Sequence, residues 1–342
     1  MIITEIYNGS GLGNQLWNIV APRCIAEHRG FRWGVRRDIT NSAKGTPNTS
    51  TIGLKTFKGC NFLPNIDFGD EVVGGVTNIE GQEPLELPQG IDYYARERED
   101  PHPFNNLDSM FYDDLLWNTI PDNTKVDGTF QRLRYINDRK SDIIEWLKPS
   151  ITVTDYSKED FCVIQFRGGE YLVTASWCPP EYYRMAADRM LEINPNMKFG
   201  VVTDDPENAK KFIPWAPIIG ASSMDTKDPL VHLQGTGFFE YKGGPIGIDY
   251  SILNNAVHSI ITSSTFSFWP AWTNTKAKNI IAPKYWFDYK TSNGFWRGDD
   301  NIVDEWLYID TSGVIMNGVD CKEEYREYRK KHSFYDDKPI VT

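Results

Sequence analysis

A basic surplus is the first thing this 342-residue chain lacks: 36 Lys and Arg stand against 47 Asp and Glu, a formal net charge of −11. Nucleic acids and anionic membrane surfaces are held by clustered Lys and Arg. Neither is therefore an expected partner, and any anionic ligand has to be met by a local cationic site. Paired cysteines are missing as well. The five present, Cys24, Cys60, Cys162, Cys178 and Cys321, are odd in number and show no CxxC spacing. That argues against a disulfide framework and a zinc site alike. No run approaches the roughly 20 apolar residues of a membrane span, and Gly9 and Gly11 interrupt the opening apolar stretch before a signal peptide could form. A cytoplasmic protein with reduced thiols and no membrane insertion is the expectation. Internal repeats and low-complexity tracts are absent too.

Aromatic residues, by contrast, are abundant: 11 Trp, 17 Tyr and 18 Phe. They suit a large core, and also flat apolar faces on which sugar rings can sit. The length suggests about two domains. The chain opens with an apolar run, "MIITEIY", a glycine-rich turn, "NGSGLGNQLWN", and then a helical pattern in Leu16, Ile19, Val20 and Cys24 that Gly30 stops. Pro22 falls inside that pattern and predicts a kink or a reset. Residues 39–85 are rich in Gly, Thr, Asn and Pro and read as long loops with short strands. A strand-like "DGTFQRLRYI" leads into a helix ending near Pro149, and the acidic, turn-rich segment 152–160 reads as a domain boundary.

The second half is regular. Apolar runs recur at 161–166, 199–203, 259–262 and 279–283, and helical patterns occupy about 180–192, 206–213, 248–257 and 266–274. Apolar strands alternating with helices predict a parallel sheet covered on both faces. Ligands of such sheets bind beyond the carboxyl ends of the strands. There this sequence carries "RGGEY" (167–171), "DDPEN" (204–208) and "SSTFS" (263–267).

Each of these motifs has a ligand reading and a structural one. The opening loop supplies Gly9 and Gly11, but Asn14 stands where a dinucleotide fingerprint needs its third glycine, and no Gly-Lys-Ser/Thr follows for a phosphate loop. It is then either an ordinary strand–helix turn using glycine for positive φ, or a set of backbone amides facing an anion, with Asn14 and Gln15 adding side-chain hydrogen bonds. Arg167, directly after a strand, can pair with diphosphate oxygens or end the strand in a salt bridge. Glu170 can be a base or simply hold Arg167. In "TDDPEN", Asp205 as N-cap and Pro206 at the first helical position are helix-start chemistry, which leaves Thr203 and Asp204 for a ligand. The hydroxyls from Ser263 to Ser267 can cap a helix or bind phosphate, with Pro270 in the first turn if Ser267 is the cap. His258, opening a strand, reads as a structural histidine.

Taken in order, the motifs resemble the α1,2-fucosyltransferases of glycosyltransferase family 11. "GLGNQLWNIVAPRCIAEHRG" is similar to that family's "GGLGNQ" opening, and "GTFQRLRYI" to its "FQS" segment. "VIQFRGGEYLV" is similar to its "HIRRGDYV". "PPEYYRMAADRM" with "FGVVTDDPE" resembles its "YY-x-x-A" helix and "FSDD". "HSIITSSTFSFWPAWTN…PKYWF" tracks its "NSSFSWWGAWL…PKKWF". The resemblance runs from residue 1 to about 287.

It implies an α/β fold of the GT-B type, two Rossmann-like domains facing a central cleft. Residues 1–155 would form the acceptor-side domain and 156–310 the GDP-sugar domain, with a tail, 311–342, returning to the first. The implied activity is inverting transfer of L-fucose from GDP-β-L-fucose to a glycan hydroxyl, in α1,2 linkage to galactose. It needs no metal and no cofactor, in keeping with the absence of a usable DxD motif. Carried over by position, Arg167 holds the β-phosphate, and Glu170 is the candidate base. Asn14, with Gly11, Gly13 and Gln15, contacts the sugar diphosphate, and Asp249 accepts the guanine N–H pair. Gln165, Thr203, Asp204, Ser264, Thr265, Phe266 and Ser267 complete the donor site. The departures are Gln165 for the family's His, Gly168 for its second Arg and Glu170 for its Asp. They leave open another GDP-hexose or linkage, or a non-catalytic nucleotide- or glycan-binding homologue.

Overall fold

The computed structural model describes residues 1–6, 11–36, 57, 62–72, 74–75, 86–97, 99–101, 108–110, 114–221, 244–291 and 301–331. The chain divides into two compact units: Met1–Cys60, Asn65–Leu147 and Phe334–Thr342 form the first, Asn61–Pro64 and Lys148–Ser333 the second.

The first unit contains β1 (Ile2–Thr4), α1 (Leu12–Arg29), β2 (Trp33–Arg36), β3 (Asp70–Val72), β4 (Tyr93–Arg96), β5 (Glu99–Pro101), β6 (Asp108–Met110), α2 (Asp114–Thr119), β7 (Thr124–Asp127) and α3 (Lys140–Trp146). Its parallel sheet has the order β3-β2-β1-β7-β4. Successive strands spread to one side of β1, and the later ones pair on the other. The order therefore reverses between β1 and β7, where parallel sheets open a crevice at their carboxyl ends. α1 buries Leu16, Ile19, Val20 and Cys24 and continues as one helix through Pro22, so the helix is not reset there. Gly30, at φ 70°, ends it by donating its N–H to the Ala26 and Glu27 carbonyls.

The second unit contains β8 (Phe161–Phe166), α4 (Pro180–Ile193), β9 (Lys198–Thr203), α5 (Pro206–Phe212), β10 (Ile218–Ala221), α6 (Gly244–Asn255), β11 (His258–Ile260), α7 (Thr265–Trp272), β12 (Asn279–Pro283), β13 (Leu307–Ile309), β14 (Ile315–Asn317) and α8 (Gly318–Lys331). Strand order is β10-β9-β8-β11-β12-β13-β14, parallel except for the last pair. The reversal here lies between β8 and β11. A core of Ile164, Phe166, Tyr182, Tyr183, Met190, Val201 and Ile260, all fully buried, joins the sheet to α4.

The apolar runs of the second half are strands, and the helical patterns are helices, within a few residues at each end. Two details differ. β7 ends at Asp127, and Leu133–Tyr135 is a 3-10 turn, so "DGTFQRLRYI" follows a strand rather than forming one. α7 begins at Thr265 behind Ser264, so Pro270 lies inside the helix, with no N–H to donate to Phe266. Most of the expected loops of 39–85 lie outside the described residues, as do Gly9 and 332–342. The described cysteines, Cys24, Cys162, Cys178 and Cys321, are buried free thiols. Burial pushes Cys178 and Cys321 up to about 12. Among the described residues no helix is long and apolar enough to cross a membrane.

Candidate active site

In the second unit the β8–β9 register pairs Phe166 with Thr203. The residues that follow these strands, Arg167 and Asp204, therefore emerge side by side. Arg167 Nη1 donates to Asp204 Oδ2, and Arg167 Nη2 donates to Glu170 Oε1 at 2.5 Å. The guanidinium also lies 4.8 Å from the centre of the Tyr171 ring. Asp204 uses its other oxygen to accept the Gly168 N–H at 3.0 Å. Asp205 caps α5 by accepting the Asn208 N–H at 3.2 Å, and also accepts the Gly169 N–H at 3.1 Å. These bonds to backbone and side-chain donors hold its carboxyl below the usual carboxylate range against the opposing effect of burial, the largest single influence. Thr203 turns its hydroxyl inward to accept the Asp205 N–H at 2.9 Å.

Steric crowding explains Gly168. A Cβ there would lie 2.3 Å from the Asp205 Cβ and 2.4 Å from its Oδ2, so the loop after β8 has no room for a side chain. The second arginine of the resembling motif cannot be housed at this backbone position. Gly169 instead needs its glycine for φ, which is 56°.

Across the reversal point, Gln165 is buried and accepts a hydrogen bond from the Thr262 hydroxyl, tying the end of β8 to the residue after β11. Ser263 donates to the Trp286 carbonyl at 2.6 Å. Ser267 donates to the Thr262 and Ser264 carbonyls at 3.1 and 2.9 Å. Ser264 is the N-cap residue of α7 but makes no side-chain cap bond. Gln165, Ser264 and Ser267 are thus buried in the frame of the turn, while Thr265 and Phe266 are half-exposed at its surface. Asp249, on α6, is buried with its carboxylate against the carboxyl end of β10: a Cβ on Gly220 would lie 2.2 Å from Oδ1.

The first unit has its own motif pair at its own reversal point. Gly11 stands at the N-cap of α1 with φ −66°, and Gly13 lies in the first turn. Neither supplies the positive φ of the plain-turn reading, although Gly9 is outside the described residues. No atom lies within 4 Å of a Cβ placed on Gly11. Asn14 accepts a hydrogen bond from Gln131 Nε2 at 3.2 Å, which connects "GLGNQ" to "TFQRL". Gln15 is buried.

Several features carry no obvious signal in sequence. Glu5, Arg36 and Lys125 meet fully buried, with Arg36 Nη1 at 2.9 Å and Lys125 Nζ at 3.6 Å from Glu5 Oε1. Glu97 accepts the Thr129 and Phe130 N–H groups at 3.0 and 2.8 Å, and burial raises its pKa. Tyr285 and Trp286, after β12, hold φ of 65° and 36°. Bulky residues adopt such angles only under strong surrounding constraint. The hydrogen bond that the Trp286 carbonyl accepts from the Ser263 hydroxyl is part of that constraint. Among the described residues no group of three or more His, Cys, Asp and Glu is gathered for a metal ion.

No family model matches the chain. An α1,2-colitosyltransferase from Escherichia coli is 28% identical over 198 residues, covering 54% of this chain and 61% of that protein. The match thus spans less than two thirds of that relative's length. The crystal structure of the fucosyltransferase NodZ from Bradyrhizobium aligns over 92% of this chain and 98% of its own, with 11% identity. Its TM-score of 0.36 is too low a likeness to carry an argument.

Proposed function

We propose that the chain is a glycosyltransferase that takes a sugar from a GDP-sugar and places it on a glycan hydroxyl in α1,2 linkage. The observation that carries this reading is Arg167 at the reversal point of a parallel sheet, in a chain 28% identical over 198 residues to an α1,2-colitosyltransferase. In this reading the second unit binds the donor. Arg167 pairs with the diphosphate oxygens, and Thr265 and Phe266 line the mouth of α7. Asp249 accepts the N1–H and N2–H of guanine, a pair that adenine does not offer. Gln165, Ser264 and Ser267 shape this wall from beneath.

In the reaction the acceptor oxygen bonds to the anomeric carbon from the face opposite GDP, inverting it. The bond from that carbon to the β-phosphate oxygen breaks, and its electron pair leaves on GDP. Arg167 stabilises the charge that develops there, typically a large catalytic contribution. Glu170 takes the proton from the acceptor hydroxyl. L-fucose is the first donor sugar to test. Colitose is the second, favoured by the relative's name.

Isothermal titration with GDP, UDP and ADP tests the assignment. Wild-type protein should bind GDP alone, and Arg167→Ala should lose that binding. A preference for UDP would contradict it. Turnover of a GDP-sugar by wild type, abolished in Arg167→Ala, separates an enzyme from a binding homologue.

A further inference from the structure

Both terminal nitrogens of Arg167 are already engaged by carboxylates, Nη1 by Asp204 and Nη2 by Glu170. An arginine grips a diphosphate with the paired N–H groups of its fork. The fork keeps further N–H groups, but an incoming dianion meets two carboxylates already at its Nη atoms, and the two are held very differently. Asp204 is 19% exposed, stands at the end of β9 opposite the end of β8, and also accepts the Gly168 N–H. Moving it would undo the loop that carries Arg167. Glu170 is 69% exposed and rides on the 3-10 turn Gly169–Val173. Arg167 is its one polar side-chain partner among the described residues. Gly169, the first residue of that turn, has open space where a side chain would be. Exposed ion pairs of this kind hold weakly.

We propose that Glu170 is a displaceable stand-in for the donor diphosphate and that Asp204 is the permanent anchor of Arg167. This inference rests on the reading of Arg167 as the anion site of a sugar-nucleotide transferase, and extends it to order of binding. Without donor, Glu170 neutralises Arg167 and is itself occupied. With donor, the diphosphate takes Nη2, and Glu170 is released to turn toward the face of the sugar opposite the phosphate. Only then is its carboxylate available for the acceptor proton. Donor binding thus readies the base, so the donor enters before the acceptor. Asp204 acts through Arg167 and is a positioning residue.

The two carboxylates give opposite signs on neutralisation, whereas general relief of negative charge would give the same sign for both. Titration of GDP and of inorganic pyrophosphate into wild type, Glu170→Gln and Asp204→Asn measures this. Glu170→Gln should bind both ligands about 2- to 10-fold more tightly, the range expected when a weak exposed competitor is removed. It should also turn over GDP-sugar with a lower kcat. Asp204→Asn should bind both at least about 10-fold more weakly, because it loses the charge that orients Arg167. Unchanged or weaker binding by Glu170→Gln would overturn the proposal, as would tighter binding by both variants. Should Asp204→Asn fail to fold, the sign for Glu170→Gln decides alone. If pyrophosphate binds with these signs but GDP does not bind, the exchange at Arg167 stands and the nucleotide assignment falls. If wild type binds neither ligand, both fall.

Discussion

Replacing Gly168 by alanine sets a methyl group against Asp205. Non-bonded carbon atoms rest about 3.5–4.0 Å apart, yet the new Cβ would start 2.3 Å from the Asp205 Cβ. More than about 1 Å of movement is needed, and both sides are tied. Gly168 donates its N–H to Asp204. Asp205 accepts from Gly169 N–H at 3.1 Å, Asn208 N–H at 3.2 Å and Asn208 Nδ2 at 2.7 Å. If the crowding is relieved by moving Asp205, α5 loses its N-cap, at a cost of about 1 kcal/mol. The bond to the loop adds about 0.5–1.5 kcal/mol. If it is not relieved, overpacking alone costs about 1–3 kcal/mol. The two routes give about 1–3 kcal/mol.

Urea denaturation followed by fluorescence of the second unit's tryptophans measures the loss as a lower midpoint at constant slope. The double variant Gly168→Ala/Asp205→Gly removes the obstacle, the Asp205 Cβ included. It should be more stable than the sum of the single variants allows, with a coupling of about 1 kcal/mol. A Gly168→Ala protein within about 0.5 kcal/mol of wild type, or strictly additive losses, would refute the steric account. The same geometry makes Gly168→Arg, which restores the second cation of the resembling motif, destabilising rather than activating.

His258 is buried, and that burial, its largest influence, depresses its pKa below the ordinary histidine value. A base whose folded pKa is depressed contributes stability that is present above its unfolded pKa, near 6.5, and lost as pH falls through the folded value. Thermal unfolding from pH 8 to 5 should show this loss below about pH 6.5, and His258→Gln should flatten it. Ser267→Ala removes the single hydroxyl proton shared between the Thr262 and Ser264 carbonyls, so chemical denaturation should show a loss of about 0.5–1.5 kcal/mol. Its affinity for GDP should stay within about 2-fold of wild type, since the hydroxyl faces the turn rather than the solvent; a large loss of affinity would place Ser267 in direct contact with ligand. Asp249→Asn should narrow the preference for GDP over ADP in isothermal titration, and an unchanged preference would remove Asp249 from base reading.

Strands and helices of the second unit were legible because their periodicities are unambiguous. "FCVIQF" is apolar on both faces and becomes β8, and "DPEN" gives Asp205 to α5 as its cap. Arg167 was legible as a residue at a strand end. What held it was not, because the Asp204 contact depends on the β8–β9 register, which no local pattern encodes. Gly168 read as a lost cation, and only the approach of Asp205, 37 positions later, shows it as a packing requirement. Motif position points Gln165 and Ser267 toward a ligand, and the structure adds that both are buried and bonded to the turn after β11. The Asn14–Gln131 pair joins two motifs that no local sequence pattern links. Charges buried at the end of a short strand, such as Glu5 and Arg36, look like surface residues until the sheet order brings them together.

The central claim is chemical, and a donor screen tests it most directly. Wild-type protein is incubated with a galactoside acceptor and GDP-fucose, GDP-mannose or UDP-sugars in turn, and the products are read by mass spectrometry. The account predicts a product from a GDP-sugar, GDP-fucose first among them, that disappears in Arg167→Ala. Transfer from UDP-sugars alone would contradict it.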